Sequence, residues 1–164
     1  MDYTKNYINW ISGLTKDQFD IFIKAFIKDF WKVDWAVLTD GKGDGGIDIR
    51  MLKKKNRKIP IQLTIDKNVY NKLRKDLEKI SKLIEDHGYS DSLYFFYSQG
   101  AAEDKVIDII DEAREEFLIN LHIFDSKVLA SYLDRPSFQN SRESLRDLLG
   151  EFLSSEDSYF DENQ

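Results

Sequence analysis

The sequence predicts an α/β fold: a mixed central β-sheet flanked by helices, with an antiparallel hairpin attached to a strand–helix–strand crossover. Three observations predict it. Phe19, Phe22, Ile23, Phe26, Ile27 and Phe30 recur at helical spacing and make an apolar face suited to covering a sheet. Ile47 and Ile49 alternate with Asp48 and Arg50, and Ile59, Ile61 and Leu63 alternate with Pro60, Gln62 and Thr64, the period of two expected of paired strands. Leu93-Tyr94-Phe95-Phe96-Tyr97 is apolar without alternation, the pattern of a strand covered on both faces.

The elements follow in order. Tyr3, Tyr7 and Trp10 are expected to pack onto the body of the domain. Thr15-Lys16-Asp17-Gln18 reads as a capping box that opens the first long helix, which runs through Phe30. Trp35-Ala36-Val37-Leu38 reads as the first strand and Thr39–Gly46 as a loop ending in the Gly45-Gly46 pair, whose conformational freedom suits a tight turn. The hairpin is expected to turn through Lys53-Lys54-Lys55-Asn56-Arg57-Lys58. Asn68 is placed to cap a helix reaching His87, with Gly88 as its stop. A helix over Ala102–Phe117 leads to a strand over Leu121–Phe124. Ser126 is placed to cap a short helix through Leu133, Pro136 to break it, and a last helix spans Ser141–Leu153. The expected organisation is one domain over residues 1–153 and an acidic flexible tail over 154–164.

Composition excludes several classes. The 164 residues contain no cysteine, which removes disulfides, Cys-ligated zinc and a Cys nucleophile and fits a cytoplasmic home. With only two histidines a zinc site is not expected. No signal peptide is recognisable at the N-terminus, and no apolar run approaches the ~20 residues of a membrane span. The net charge of −6 is unevenly spread. Residues 50–82 carry 12 Lys/Arg against 3 Asp/Glu, whereas residues 83–164 carry 6 against 19. A charge run is most often a solvated face, but this basic third directly follows Asp48 and surrounds the hairpin.

If the two strands of the hairpin pair antiparallel, Asp48 and the polar pair Gln62/Thr64 come to the same end of it. A carboxylate, a second oxygen donor and a basic surface are the parts of a metal-dependent phosphodiester site. Against this, a GDGG loop is more often only a turn, and Asp44 reads as turn chemistry.

The order of Phe19-Asp20 on the first long helix, Gly43-Asp44-Gly45-Gly46-Ile47-Asp48-Ile49 entering a strand and Ile61-Gln62-Leu63-Thr64 ending the next resembles the Mrr-like branch of the restriction-endonuclease-like (PD-(D/E)XK) nucleases. The resemblance spans roughly residues 15–133, and GDGGIDI is its most specific part. It implies a restriction-endonuclease-like fold and a metal-dependent endonuclease that hydrolyses DNA in defence against foreign DNA. It implies Asp48, Asp20 and Gln62 as ligands of Mg²⁺ or Mn²⁺. Thr64 falls where the family carries a lysine that orients or activates the attacking water, and Lys67, Lys72 and Lys75 are the candidates to replace it. Phosphate contacts fall to Lys53, Lys54, Lys55, Arg57, Lys58, Lys72 and Lys75. The implied partners are DNA, a second copy of the chain, and a further domain or partner protein of a defence system, with no membrane. The alternative is a catalytically degenerate nucleic-acid-binding or protein-interaction domain on the same fold.

Overall fold

A computed structural model of the chain describes residues 3–32, 38–43, 47–54, 57–67, 69–87 and 91–153. For residues 38–43, 47–54, 57, 58, 72, 83, 87 and 151–153 the description is of the backbone. Two helices, α1 (Thr4–Ser12) and α2 (Lys16–Trp31), precede the strands β1 (Leu38–Gly43), β2 (Ile47–Lys54) and β3 (Arg57–Thr64). The helix α3 (Val69–His87) leads to β4 (Ser92–Tyr97), and α4 (Glu103–Phe117) leads to β5 (Asn120–Phe124). The helices α5 (Ser126–Leu133) and α6 (Gln139–Leu153) follow, separated by a 3-10 turn over Pro136–Phe138.

The five strands lie side by side in chain order. β2 runs antiparallel to β1 and to β3, with Gly43 opposite Ile47 and Leu52 opposite Ile59. β3, β4 and β5 are mutually parallel, with Leu63 opposite Phe96 and Phe96 opposite Phe124. Parallel neighbours need a crossover, and α3 and α4 supply the two crossovers. The fold is therefore a mixed α/β sheet with helices on both faces.

Strand alternation divides the core into two. Ile61, Leu63, Phe96 and Phe124 share one cluster with the α2 residues Phe19, Phe22, Ile23, Phe26 and Ile27 and with Leu129, Leu133 and Leu145 of α5 and α6. Phe26 is its hub, with ring centroids 5.3 Å from Phe138, 5.7 Å from Tyr132 and 6.1 Å from Phe96. Leu93, Phe95, Tyr97 and Leu121 face the other way, onto Val69, Leu73, Leu77 and Ile80 of α3 and Ile109 and Ala113 of α4. Each fully buried Phe or Leu contributes about 1.5–3 kcal/mol of transfer free energy. β4 feeds both clusters, as its unbroken apolar run requires.

Local chemistry sets the ends of α2 and α6. Thr15 and Gln18 close a reciprocal capping box at the start of α2. Near the other end, buried Asp29 accepts hydrogen bonds from the Ser141 backbone N–H (2.7 Å), the Ser141 hydroxyl (2.6 Å) and the Asn140 amide (3.0 Å). A carboxylate at a helix N-terminus meets both its orphan N–H groups and its positive dipole end. Asp29 of α2 thus caps the first turn of α6 from across the core.

Several expectations are corrected. Residues 39–43 are strand, not loop: β1 keeps a complete register with β2 from Leu38–Leu52 to Gly43–Ile47. Pairing with a neighbour overrides the poor strand propensity of Asp40, Gly41 and Gly43 at this sheet edge. The basic turn is shorter than expected, because Lys53 pairs with Lys58 and Lys54 with Arg57 inside the ladder. The cap of α5 is Asp125, whose Oδ1 accepts the Val128 N–H at 2.9 Å, one residue before the expected Ser126. Pro136 opens a 3-10 turn as well as ending a helix, because its missing N–H is harmless at a helical N-terminus. Tyr7 and Trp10 do pack against the core as expected, from α1, with their rings edge to face at 5.9 Å. Expectations for residues 35–37, Asp44, Gly45, Gly46, Lys55, Asn56, Asn68, Gly88 and the 154–164 tail lie outside the described residues. Among the described residues no helix is long and apolar enough to cross a membrane.

Candidate active site at the parting of two strands

The antiparallel order of β2 and β3 brings Ile47 and Thr64 to the same end of the sheet. There the pairing between β2 and β3 ends, while each strand keeps its other neighbour. The β2–β3 register runs from Lys54–Arg57 as far as Arg50–Ile61. Beyond it, β2 follows β1, with Asp48 opposite Lys42, and β3 follows β4, with Gln62 opposite Phe95 and Thr64 opposite Tyr97. The sheet parts between its antiparallel and parallel halves, beside the carboxyl end of β3. The Asp48 backbone stands on one side of the parting; its side chain lies outside the described residues.

Gln62 and Thr64 face the α3 layer. Gln62 is buried, its Nε2 donates to Asp76 Oδ2 of α3 at 3.3 Å, and its Oε1 has no hydrogen-bond partner among the described residues. The Thr64 hydroxyl, also buried, accepts the Asp66 N–H at 3.2 Å. That bond closes a local turn and brings no charge to the site. Asp20 is on the opposite layer. It is half-buried on α2, whose apolar side packs with Ile61 and Leu63. The structure therefore does not bring Gln62 and Asp20 together, because the period of two sends Gln62 away from the face its neighbours share with α2.

Lys16, a residue that sequence reasoning took only as part of a cap, reaches the parting. Its Nζ donates to the carbonyl oxygen of Leu63 at 2.5 Å. Asp20 lies one helical turn further along α2, on the same side as Lys16. Nothing in the local sequence signals this contact, which only the packing of α2 on the sheet creates. The same holds for Asp76, which the sequence did not single out.

For the divalent cation that the resemblance implies, the donor chemistry fits in part. Asp20 and Asp48 offer hard carboxylate oxygens, and Mg²⁺ takes one or two carboxylates and completes its shell with water and phosphate. Gln62 does not join that set. Among the described residues no group of three or more His, Cys, Asp or Glu is arranged to hold a metal ion.

The basic residues fall into two groups. Lys53, Lys54, Arg57 and Lys58 belong to the far end of the β2–β3 ladder, about 20 Å from Asp48 at the usual rise per residue. Lys67 is exposed just past the end of β3, where its carbonyl accepts the Tyr97 hydroxyl at 3.4 Å. Lys75, Lys79 and Lys82 are exposed along α3, with Lys82 4.0 Å from Glu78, and Arg74 pairs with Glu112 of α4 at 2.9 Å. The Lys72 side chain lies outside the described residues. Two surface hollows, about 250 Å³ beside Tyr7, Trp10 and Arg142 and about 560 Å³ between α2 and α6, are not lined by any of these candidate site residues.

No protein-family model matches the chain, and no curated protein matches it in sequence.

Proposed function

We propose that this chain is a metal-dependent deoxyribonuclease domain that hydrolyses phosphodiester bonds at the parting of β2 and β3. One observation carries the reading: the pairing of β2 and β3 stops short of the end where Asp48 stands, beside the carboxyl end of β3, against which the helix that bears Asp20 packs. A carboxylate-bound Mg²⁺ or Mn²⁺ supplies the polarisation of the phosphoryl group. Lys53, Lys54, Arg57 and Lys58 at the ladder's far end and Lys67 and Lys75 beside and along α3 supply the phosphate contacts. The restriction-endonuclease-like architecture and a role in defence against foreign DNA belong to this proposal and rest on the sequence resemblance.

A second reading, a nucleic-acid-binding domain without catalysis, is favoured by Thr64, whose hydroxyl is spent on its own backbone turn. Plasmid cleavage in Mg²⁺ and in Mn²⁺ separates the two. Nicking or linearisation that EDTA and Asp48→Ala both abolish is the result expected of the nuclease. Salt-sensitive DNA binding by folded protein with no cleavage in either metal would establish the second reading.

A further inference from the structure

We propose that Lys16 supplies the positive charge of this active site; the inference rests on the nuclease reading. Hydrolysis of a phosphodiester adds water to phosphorus and breaks the bond to the leaving oxygen. The water's proton passes to solvent, and the leaving oxygen takes a proton from solvent. Negative charge builds on the phosphoryl oxygens on the way, and a fixed cation there lowers the barrier. Thr64 carries no charge, and its hydroxyl accepts the Asp66 N–H. Lys67 is exposed beyond the strand end, and Lys75 is exposed along α3, on the layer away from α2.

Three observations place Lys16. First, its ammonium is held at the Leu63 carbonyl. Second, the direction of that carbonyl locates the ammonium. The Thr64 carbonyl accepts the Ser98 N–H, on the β4 side of β3. Successive carbonyls of an extended strand point opposite ways in the plane of the sheet, so the Leu63 carbonyl points toward β2. The ammonium therefore stands in the parting, where the β2–β3 register has ended and the strand bearing Asp48 begins. Third, Lys16 and Asp20 are four residues apart on one helix and share a side of it, so both are carried by the same support.

The placement also runs against helix electrostatics. A lysine in the first turn faces the positive end of the dipole and is disfavoured there. The Thr15–Gln18 capping box and buried Leu14 and Phe19 fix this turn and so fix where Lys16 begins its reach. A rigid base under a long side chain is the arrangement that a preorganised catalytic cation requires.

The test is strand cleavage of supercoiled plasmid by the full chain in Mg²⁺, comparing wild type, Lys16→Gln, Lys16→Met and Asp48→Ala. DNA affinity is measured in Ca²⁺, and stability by thermal unfolding. Lys16→Gln keeps a donor for the Leu63 carbonyl and removes the charge. It is expected to unfold at the wild-type temperature, to bind DNA within about threefold of wild type, and to cleave about 10²–10³-fold more slowly. Lys16→Met is expected to be equally slow, and its unfolding temperature measures what the carbonyl contact contributes to the fold. A folded Lys16→Gln that cleaves at the wild-type rate overturns the inference and leaves the nuclease reading standing. Wild-type protein that leaves DNA intact in Mg²⁺ and Mn²⁺ overturns both.

Discussion

Lys16 Nζ and the carbonyl oxygen of Leu63 meet across 47 residues of chain. The contact ties the first turn of α2 to the carboxyl end of β3, so the helix that carries Asp20 and the strand that carries Thr64 share one anchor. Removing it should loosen the site before it loosens the core, because the Phe26 cluster holds the rest of α2 independently.

Gln62 separates two pictures of the metal shell. Its side chain points to Asp76 on the α3 face, away from α2. Gln62→Met is therefore expected to keep cleavage within about threefold of wild type. Removal of the buried, unpaired Oε1 compensates for the missing bond to Asp76, so stability should change by less than about 1 kcal/mol. A loss of cleavage comparable to that of Asp48→Ala would place Gln62 on the metal and contradict the geometry.

Asp29→Ala removes three hydrogen bonds to a buried carboxylate and strands the Ser141 N–H. The expected cost is about 2–4 kcal/mol, seen as a lower urea midpoint at unchanged slope. Serine in place of Asp29 should recover only part of it. An unchanged midpoint would show that α6 is not held to α2 through this residue.

Stability should fall at alkaline pH through Tyr97. Burial, with the neighbouring Tyr70 and Asp66, pushes its phenol above the ordinary 10.0. The folded chain thus holds this proton more tightly than the unfolded chain. Its contribution is complete below the unfolded value and is lost as pH rises through the higher folded one. Tyr97→Phe should flatten that alkaline limb in urea titrations taken from about pH 9 to about pH 11. A limb of the same steepness in the variant would rule Tyr97 out as its source.

DNA affinity should fall steeply with salt, and the β2–β3 hairpin should account for part of the slope. Every phosphate that the protein ceases to neutralise makes the slope of log K against log salt shallower by about 0.9. Replacing Lys53, Lys54, Arg57 and Lys58 by Gln should flatten it, with cleavage of saturating DNA preserved because the ladder's far end is remote from Asp48. A slope that does not move would place the DNA elsewhere.

What could be read from the chain alone was what depends on local pattern. The six apolar residues from Phe19 to Phe30 announce α2, and the unbroken run at Leu93–Tyr97 announces a strand covered on both sides. What could not be read depends on pairing. Asp40-Gly41-Lys42-Gly43 has no strand pattern and is strand because β2 templates it. Which face Gln62 takes is a matter of parity with Ile61 and Leu63, and a period of two cannot tell which set meets α2 and which meets α3. Lys16 was hidden by its own capping box, since a side chain that reaches another element leaves no trace in the residues beside it.

The clasp between Asp29 and Ser141 also has a consequence in time. The two residues are 112 positions apart, so a ribosome adds the second roughly 6–22 s after the first. Until then the helix bearing Lys16 and Asp20 lacks its distal fastening, and the strands it covers are themselves still being made. A half-synthesised chain therefore cannot hold cation and carboxylate over the parted strands. If the finished protein cuts DNA, that activity should appear only after α6 has been made.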